Sequence, residues 1–253
     1  MKHCEYRRNV EGAKRALLFV HGIVGTPDHF SDIIDMVPED VTFWNILVDG
    51  HGGRVRDFAN TSMKKWEAQI KAVLDELSAT HDEIYVVAHS LGALLTIKES
   101  LENPKIIRIF MLQPALTPCV KWGIVTTVLK IFFNNIKPDD LVVQAALKRY
   151  SIDIDRNVFG YFGWIPRFVE LFVKARKTVR LLDELKIPCV AFVSKKDEVV
   201  AQKSGKILRR YSNVEVFDMK NSGHFYYEKN DIELLRHEFA GFIAEMESEK
   251  YVG

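Results

Sequence analysis

Ile84-Tyr85-Val86-Val87-Ala88-His89-Ser90-Leu91-Gly92-Ala93-Leu94-Leu95-Thr96 is the stretch on which the reading of the fold turns. The β-branched and aromatic run Ile84 to Val87 predicts a strand, and Ala93-Leu94-Leu95-Thr96 opens a helix. Ser90 stands between them with small residues, Ala88 and Gly92, two positions to either side. This is the pattern G-x-S-x-G with alanine in place of the first glycine. At a sharp strand-to-helix turn the two backbones pass close to the serine, so its neighbours must be small. Such a turn lifts the hydroxyl above the sheet edge and aims the next residue's N–H at the same point. A serine that merely caps a helix is the plain alternative. The strand before it and the helix after it favour the turn.

Outward from this stretch, short apolar runs recur at Ala16 to Val20, Phe43 to Val48, Ile106 to Leu112, Pro188 to Val193 and Val214 to Phe217. Continuous apolar runs of this length predict strands buried on both faces, as in a parallel sheet covered by helices. Helical stripes lie between them. Trp66, Ile70, Val73, Leu74 and Leu77 form one, and Ile232, Leu235, Phe239, Phe242, Ile243 and Met246 form another. A further helix is expected to hold Phe30, Ile33, Ile34 and Val37. Alternating strand and helix predicts an α/β fold. The alternation fails from Leu116 to Leu182, where Val125, Val128, Leu129 and Phe132, then Phe168, Leu171, Phe172 and Ala175, repeat at helical spacing. Residues 116–182 therefore read as a helical insertion into a core made of 1–115 and 183–253.

The whole chain of 253 residues carries 35 Lys and Arg against 34 Asp and Glu, a net +1 that offers no global field for nucleic acid or an acidic membrane. The insertion differs, with eleven basic residues against five acidic ones, 11 − 5 = +6. Three widely spaced cysteines, Cys4, Cys119 and Cys189, do not suggest a disulfide scaffold and fit a reducing compartment. The apolar run after the basic N-terminal residues spans only Ala16 to Val20, too short for a signal or a membrane span. The expectation is a cytoplasmic protein with no stable membrane insertion; homo-oligomerisation is left open.

A serine hydroxyl is a weak nucleophile that needs a base held by a third group. The chain offers an acid and then a histidine downstream, each just past a predicted strand, the edge at which open α/β sheets place their sites. Ser194-Lys195-Lys196-Asp197-Glu198 follows one strand and Asn221-Ser222-Gly223-His224 the next. Asp197 is the expected acid, Glu198 its rival and His224 the expected base. Taken singly, Asp197 also reads as a turn carboxylate and His224 as a surface histidine. Gly223 is expected to permit the sharp loop that turns the imidazole inward. The backbone N–H groups of Ile23 and Leu91 are the expected oxyanion donors, with Gly22 allowing close approach. His21, at a strand end, is expected to brace that loop through its ring nitrogens.

Taken together, the His21-Gly22 loop, Asp49-Gly50-His51-Gly52, the elbow Ala88-His89-Ser90-Leu91-Gly92, the Lys196-Asp197 turn and Ser222-Gly223-His224 resemble the α/β-hydrolase superfamily. The likeness is to its branch of small bacterial carboxylesterases and monoacylglycerol lipases, which Thr61-Ser62 followed by Trp66 also resembles. It spans nearly the whole chain apart from the insertion. Two departures stand out: Ala88 replaces the usual glycine, a sterically mild change, and no Gly-Gly run follows His21. The second argues against tertiary-alcohol and hormone-sensitive-lipase types.

The resemblance implies an α/β-hydrolase fold, a mostly parallel central sheet flanked by helices, and a carboxylic ester hydrolase acting on a small-molecule ester. Ser90 would attack, His224 would move the proton and Asp197 would hold the imidazole. No cofactor or metal is implied, and the histidines lack metal-ligand spacing. The insertion then reads as a cap, with a few of its aromatics (Trp122, Phe132, Phe133, Phe159, Tyr161, Phe162, Trp164, Phe168, Phe172) lining an acyl site and the rest packing helices. An acyl-CoA thioesterase using the same residues, its carrier held by the basic cap, is the alternative among enzymes. A ligand-binding relative with little turnover is the alternative outside them.

Overall fold

The computed structural model describes residues 3–248, so the outermost residues of the expected core segments, 1–2 and 249–253, lie outside the described part. Seven strands form one sheet: β1 (Tyr6–Arg8), β2 (Arg15–Val20), β3 (Thr42–Ile46), β4 (Glu83–His89), β5 (Ile106–Leu112), β6 (Cys189–Ser194) and β7 (Val214–Met219). Their order is β1-β3-β2-β4-β5-β6-β7. All pairs are parallel except β1 with β3. The six expected strands are present within a residue or two. β1 carries no apolar run to mark it in the sequence, because an edge strand of three exposed or half-buried residues has no apolar face to pattern.

Both faces of the sheet are covered, which explains the continuous apolar runs. In β2, Leu17 and Phe19 point to one layer and Ala16, Leu18 and Val20 to the other, all fully buried. Helices α2 (Met63–Thr80) and α3 (Leu91–Glu102) belong to the second layer, with Trp66, Ile70, Leu74 and Leu94 in its core. The C-terminal helix belongs to the first, where Phe239 and Phe242 meet Phe110 edge-on at 5.4 and 5.3 Å. The short α1 (Val55–Ala59) precedes α2.

The helix expected over Phe30 to Val37 is absent. Two short 3-10 turns, Pro27–Phe30 and Ile34–Met36, stand there instead. Ile33 leaves the helical region at φ −133°, and Pro38 closes the segment too soon for a full helix. Phe30, Ile33 and Val37 are buried all the same.

Between β5 and β6 come three helices, α4 (Trp122–Phe132), α5 (Leu141–Arg149) and α6 (Ile165–Leu181), and no strand of the sheet. Partly buried ion pairs tie α5 and α6 to the core. Arg149 pairs with Asp32, donates to the Phe225 carbonyl and lies over the Tyr227 ring, while Lys174 donates to Glu67 at 2.7 Å. Arg167 reaches the carbonyls of Ala59 and Thr61. Part of the segment's basic excess is thus a fastening rather than a solvated face. After β6 come α7 (Lys203–Leu208) and, following β7, α8 (Lys229–Ser248). No helix among the described residues is long and apolar enough to cross a membrane.

The sheet and α3 meet at Gly92. A Cβ there would lie 2.2 Å from the Val20 carbonyl oxygen and 2.9 Å from that of His21, so the helix can reach the end of β2 only without a side chain. Gly92→Ala must push α3 off the strand. We expect a loss of about 1–3 kcal/mol or more, read as a lowered denaturation midpoint. An unchanged midpoint would show that the helix has room to move.

Candidate active site

Ser90 occupies the turn between β4 and α3 at φ 53°, ψ −112°, a conformation an L-residue adopts only when its surroundings impose it. Its N–H donates to the Leu112 carbonyl at 2.9 Å and its carbonyl accepts from Ala115 N–H, so the end of β5 holds the turn from both sides. The Ser90 hydroxyl is buried and has no hydrogen-bond partner among the described residues. Ala88, the last residue but one of β4, is fully buried.

Asp197 and His224 come together as the sequence order anticipated. His224 Nδ1–H donates to Asp197 Oδ2 at 2.9 Å, both side chains almost fully buried. With Nδ1 donating, a neutral ring presents Nε2 as an acceptor. Asp197 is itself fixed, since Oδ1 accepts from the N–H groups of Val199 at 2.8 Å and Val200 at 2.7 Å. Glu198 does not reach the imidazole. It accepts the backbone N–H of His224 at 3.1 Å, and burial raises its pKa. Gly223 has no left-handed backbone; a Cβ there would stand 2.7 Å from Glu198 Oε2 and displace that carboxylate from the His224 N–H. Asp231, at the start of α8, went unnoticed in the sequence yet holds this loop through Lys220 N–H, Asn221 N–H and the Ser222 hydroxyl. An aspartate in the first turn of a helix reads only as a helix-end charge until the loop folds over it.

The loop after β2 passes directly beside Ser90. A Cβ on Gly22 would lie 2.7 Å from Ser90 Cβ and 2.8 Å from His89 Nδ1. Parallel pairing of Val20 with Ala88 brings the two turns level. His21 braces this loop as expected: its Nδ1–H donates to the Gly22 carbonyl at 2.9 Å and its Nε2 accepts Val48 N–H at 3.0 Å. His51 extends the brace, accepting Val24 N–H at 3.0 Å and donating from Nδ1 to Val48 O at 3.0 Å. Trp66 and Thr61 anchor the Asp49-to-His51 loop, through the Asp49 carbonyl at 2.8 Å and its carboxylate at 2.5 Å.

A second buried polar group centres on Gln113 and Tyr227. Gln113 donates to Ser194 Oγ at 2.8 Å and accepts from the Tyr227 hydroxyl at 2.6 Å. Because that hydroxyl's only proton is committed to Gln113, His29 must donate its Nε2–H to the Tyr227 oxygen, 2.8 Å away. His89 stacks on His29 at 3.5 Å and lies 4.6 Å from the His224 ring. Neither His89 nitrogen has a partner among the described residues. Nothing in a local sequence pattern marks Gln113 or Tyr227, which meet only through the sheet order. Among the described residues no group of three His, Cys, Asp or Glu side chains is arranged to hold a metal ion.

Above His224 and Ile23 opens a cavity of about 410 Å³ with an almost wholly apolar wall. Val125, Val128 and Phe132 from α4 and Phe168, Leu171 and Phe172 from α6 form two of its sides. Among the described residues no lysine or arginine lines it. Of the nine aromatics expected to pack or line a cleft, Phe132, Tyr161, Trp164, Phe168 and Phe172 line it, while Trp122, Phe133, Phe159 and Phe162 point into solvent.

The sequence model of the family described as "Alpha/beta hydrolase family" matches residues 17–236. No curated protein sequence matches the chain. Among solved structures, one from a study of the metagenome-derived lipolytic enzymes LipS and LipT superimposes with a TM-score of 0.73 at 19% identity, over 96% of this chain and 98% of that one. The monoacylglycerol lipase of Paleococcus ferrophilus gives 0.63 at 17% identity, over 97% and 98% of the two chains. A structure from a study of Nitrososphaera gargenis carboxylesterases gives 0.63 at 16%, over 97% and 96%. At these identities the likeness is one of fold.

Burial lowers the pKa values of His21, His29 and His89 well below the ordinary imidazole range and that of His51 to about 4. In the unfolded chain each takes up a proton near its ordinary value of about 6.5, which the folded protein refuses. Folding stability should therefore fall as pH drops below about 6.5, by up to about 1.4 kcal/mol per pH unit for each histidine. Glu198, with its raised pKa, works in the opposite direction, but it is one group against four. Thermal unfolding followed from pH 7 to pH 5 should show a steady decline. A flat profile would mean that these imidazoles are protonated in the folded state.

Proposed function

The chain belongs to the alpha/beta hydrolase family, and from that premise we propose that it is a serine carboxylic ester hydrolase acting on neutral esters with an apolar acyl chain. The observation that carries this reading is the buried Asp197–His224 hydrogen bond, its imidazole lining an apolar cavity, beside a strained turn whose Ser90 hydroxyl has no partner among the described residues. Ser90 is the nucleophile, His224 the base and Asp197 the group that holds the imidazole. Residues 116–182 serve as a cap over them.

In the reaction the Ser90 oxygen bonds to the ester carbonyl carbon while its proton passes to His224 Nε2. The carbonyl oxygen becomes an oxyanion within reach of the Ile23 and Leu91 N–H groups, the first on the braced loop after β2 and the second at the N-terminus of α3, where the helix dipole also favours negative charge. Collapse breaks the bond to the alkoxy oxygen, which leaves with the proton from His224. Water then attacks the acyl-enzyme, His224 taking its proton and returning it to Ser90. Asp197 keeps the proton on Nδ1 throughout, so Nε2 faces the reaction.

An acyl-CoA thioesterase would use the same residues. Against it stands the cavity wall, which has no lysine or arginine among the described residues, and the pairing of Arg149 with Asp32 and of Lys174 with Glu67; Arg176, Lys177 and Arg180 stay unpaired but are not among the residues that line the cavity. The carboxylesterases and lipases among the structural neighbours support the ester reading by likeness of fold.

A fluorophosphonate probe should label the protein, and Ser90→Ala should abolish labelling; labelling that survives would remove Ser90 from the proposed role. Asp197→Asn should cut turnover by about 10⁴-fold, through the wrong histidine tautomer, whereas Glu198→Gln, which keeps an oxygen for His224 N–H, should be mild. The reverse ranking would make Glu198 the acid.

With neutral esters of increasing acyl length, kcat/KM should climb by up to about fourfold per methylene, the equivalent of ~0.8 kcal/mol, until the cavity is filled. A flat profile together with a salt-sensitive preference for acyl-CoA would replace the ester reading with the thioesterase one.

A further inference from the structure

Helix α6 faces the wrong way for a helix of a water-soluble surface. Its buried stripe is Leu171, Lys174, Ala175 and Thr178, while Ile165, Phe168, Val169, Phe172 and Val173 are exposed. In an ordinary surface helix the apolar stripe turns inward. Helix α4 is similar, burying only Thr127 and Ile131 and exposing Trp122, Val128 and Leu129, with Phe133 just beyond its end. Of the seventeen large apolar side chains exposed among the described residues, sixteen lie between Val120 and Val173. A concentration of this kind on one segment marks an interaction surface rather than the scattered exposure of a normal monomer.

The exposed apolar residues are continuous with the cavity mouth. Val128 and Leu129 of α4 and Phe168 and Phe172 of α6 line the cavity and are exposed on the outside as well. Whatever covers this face therefore covers the entrance to the proposed acyl site.

Charge decides what the cover is. Lys130, Arg149, Arg167 and Lys174 are matched by acids and Lys137 lies in the field of Asp140, but Arg156, Arg176, Lys177 and Arg180 form no ion pair among the described residues, and Lys121 and Lys148 donate only to neutral oxygens. On α6 the exposed apolar stripe runs at helical spacing from Phe172 and Val173 into Arg176, Lys177 and Arg180. Two copies of this chain placed face to face would set these cations against one another, which is unfavourable. An anionic lipid surface meets both halves of the pattern, with acyl chains for the aromatics and phosphates for the basic rim.

We propose that the segment from Val120 to Arg180 docks the protein on anionic lipid surfaces, with the cavity mouth held against the lipid so that an apolar ester passes into it directly. The delivery of substrate rests on the ester hydrolase reading; the docking does not.

The two are separated by using the full-length Ser90→Ala protein in co-sedimentation with vesicles of phosphatidylcholine alone or mixed with phosphatidylglycerol. Binding should favour the phosphatidylglycerol vesicles and weaken as salt is raised. Replacing Arg176, Lys177 and Arg180 together by Gln should lower partitioning by about a hundredfold. Replacing Phe133, Phe159 and Phe162 by Ser should lower it by at least about tenfold, while the same change in the otherwise wild-type chain leaves the rate on a short water-soluble ester unaltered, showing that the fold is intact. Docking without any esterase activity would sink the functional reading and leave this one standing. No binding to either vesicle, binding indifferent to phosphatidylglycerol, or a dimer in light scattering that the Ser replacements dissociate would overturn the proposal, the last by showing that a second copy covers the face.

Discussion

Everything at the carboxyl edge of the sheet depends on how closely the start of α3 passes the end of β2. The approach leaves no space for a side chain on Gly92 and little for one on Gly22. It forces Ser90 into a left-handed turn, and it sets the loop after β2 alongside that turn. Strain of this kind persists only where the surroundings over-determine it. Here they do so through hydrogen bonds from the end of β5 to both sides of the Ser90 peptide and through the packed sheet beneath.

The surrounding shell is built largely from neutral imidazoles. His21 and His51 each accept a backbone N–H and donate to a backbone carbonyl, a pairing only an uncharged ring can make. Burial and bonding thus agree: the low dielectric disfavours the cation, and protonation would forfeit the bond to the accepted N–H. The consequence is a loop after β2 held through uncharged rings. His224 differs in that its partner is a carboxylate, the arrangement that tolerates a positive ring when a proton arrives.

The helical segment between β5 and β6 reverses the usual allocation of residues. Its cations are partly spent inward, on Asp32 and Glu67, where they fasten it to the core, and its apolar residues are turned out around the cavity mouth. Burying Arg149 and Lys174 costs desolvation that their acidic partners must offset. The segment carries this cost while leaving aromatics in water, the pattern from which the docking proposal is drawn.

Much of this was legible in the sequence. Buried parallel strands show as continuous apolar runs because both faces are covered, and α2 and α8 show as stripes because each has one buried side. The tight turn at Ser90 and the nearness of Asp197 to His224 were legible because a sharp strand-to-helix turn needs small neighbours and because both residues follow strand ends in the sequence. Three things were decided only by tertiary structure. The short edge strand β1 exists because β3 offers it a partner, and the turns around Phe30 are 3-10 because packing and Pro38, not helical spacing, set their length. Asp231, Gln113 and Tyr227 became site-supporting residues because the sheet order brings distant segments together, which no local pattern records. Periodicity located the helices of residues 116–182 but not which way they face, since a stripe of apolar residues has the same spacing whether it meets a core or the outside.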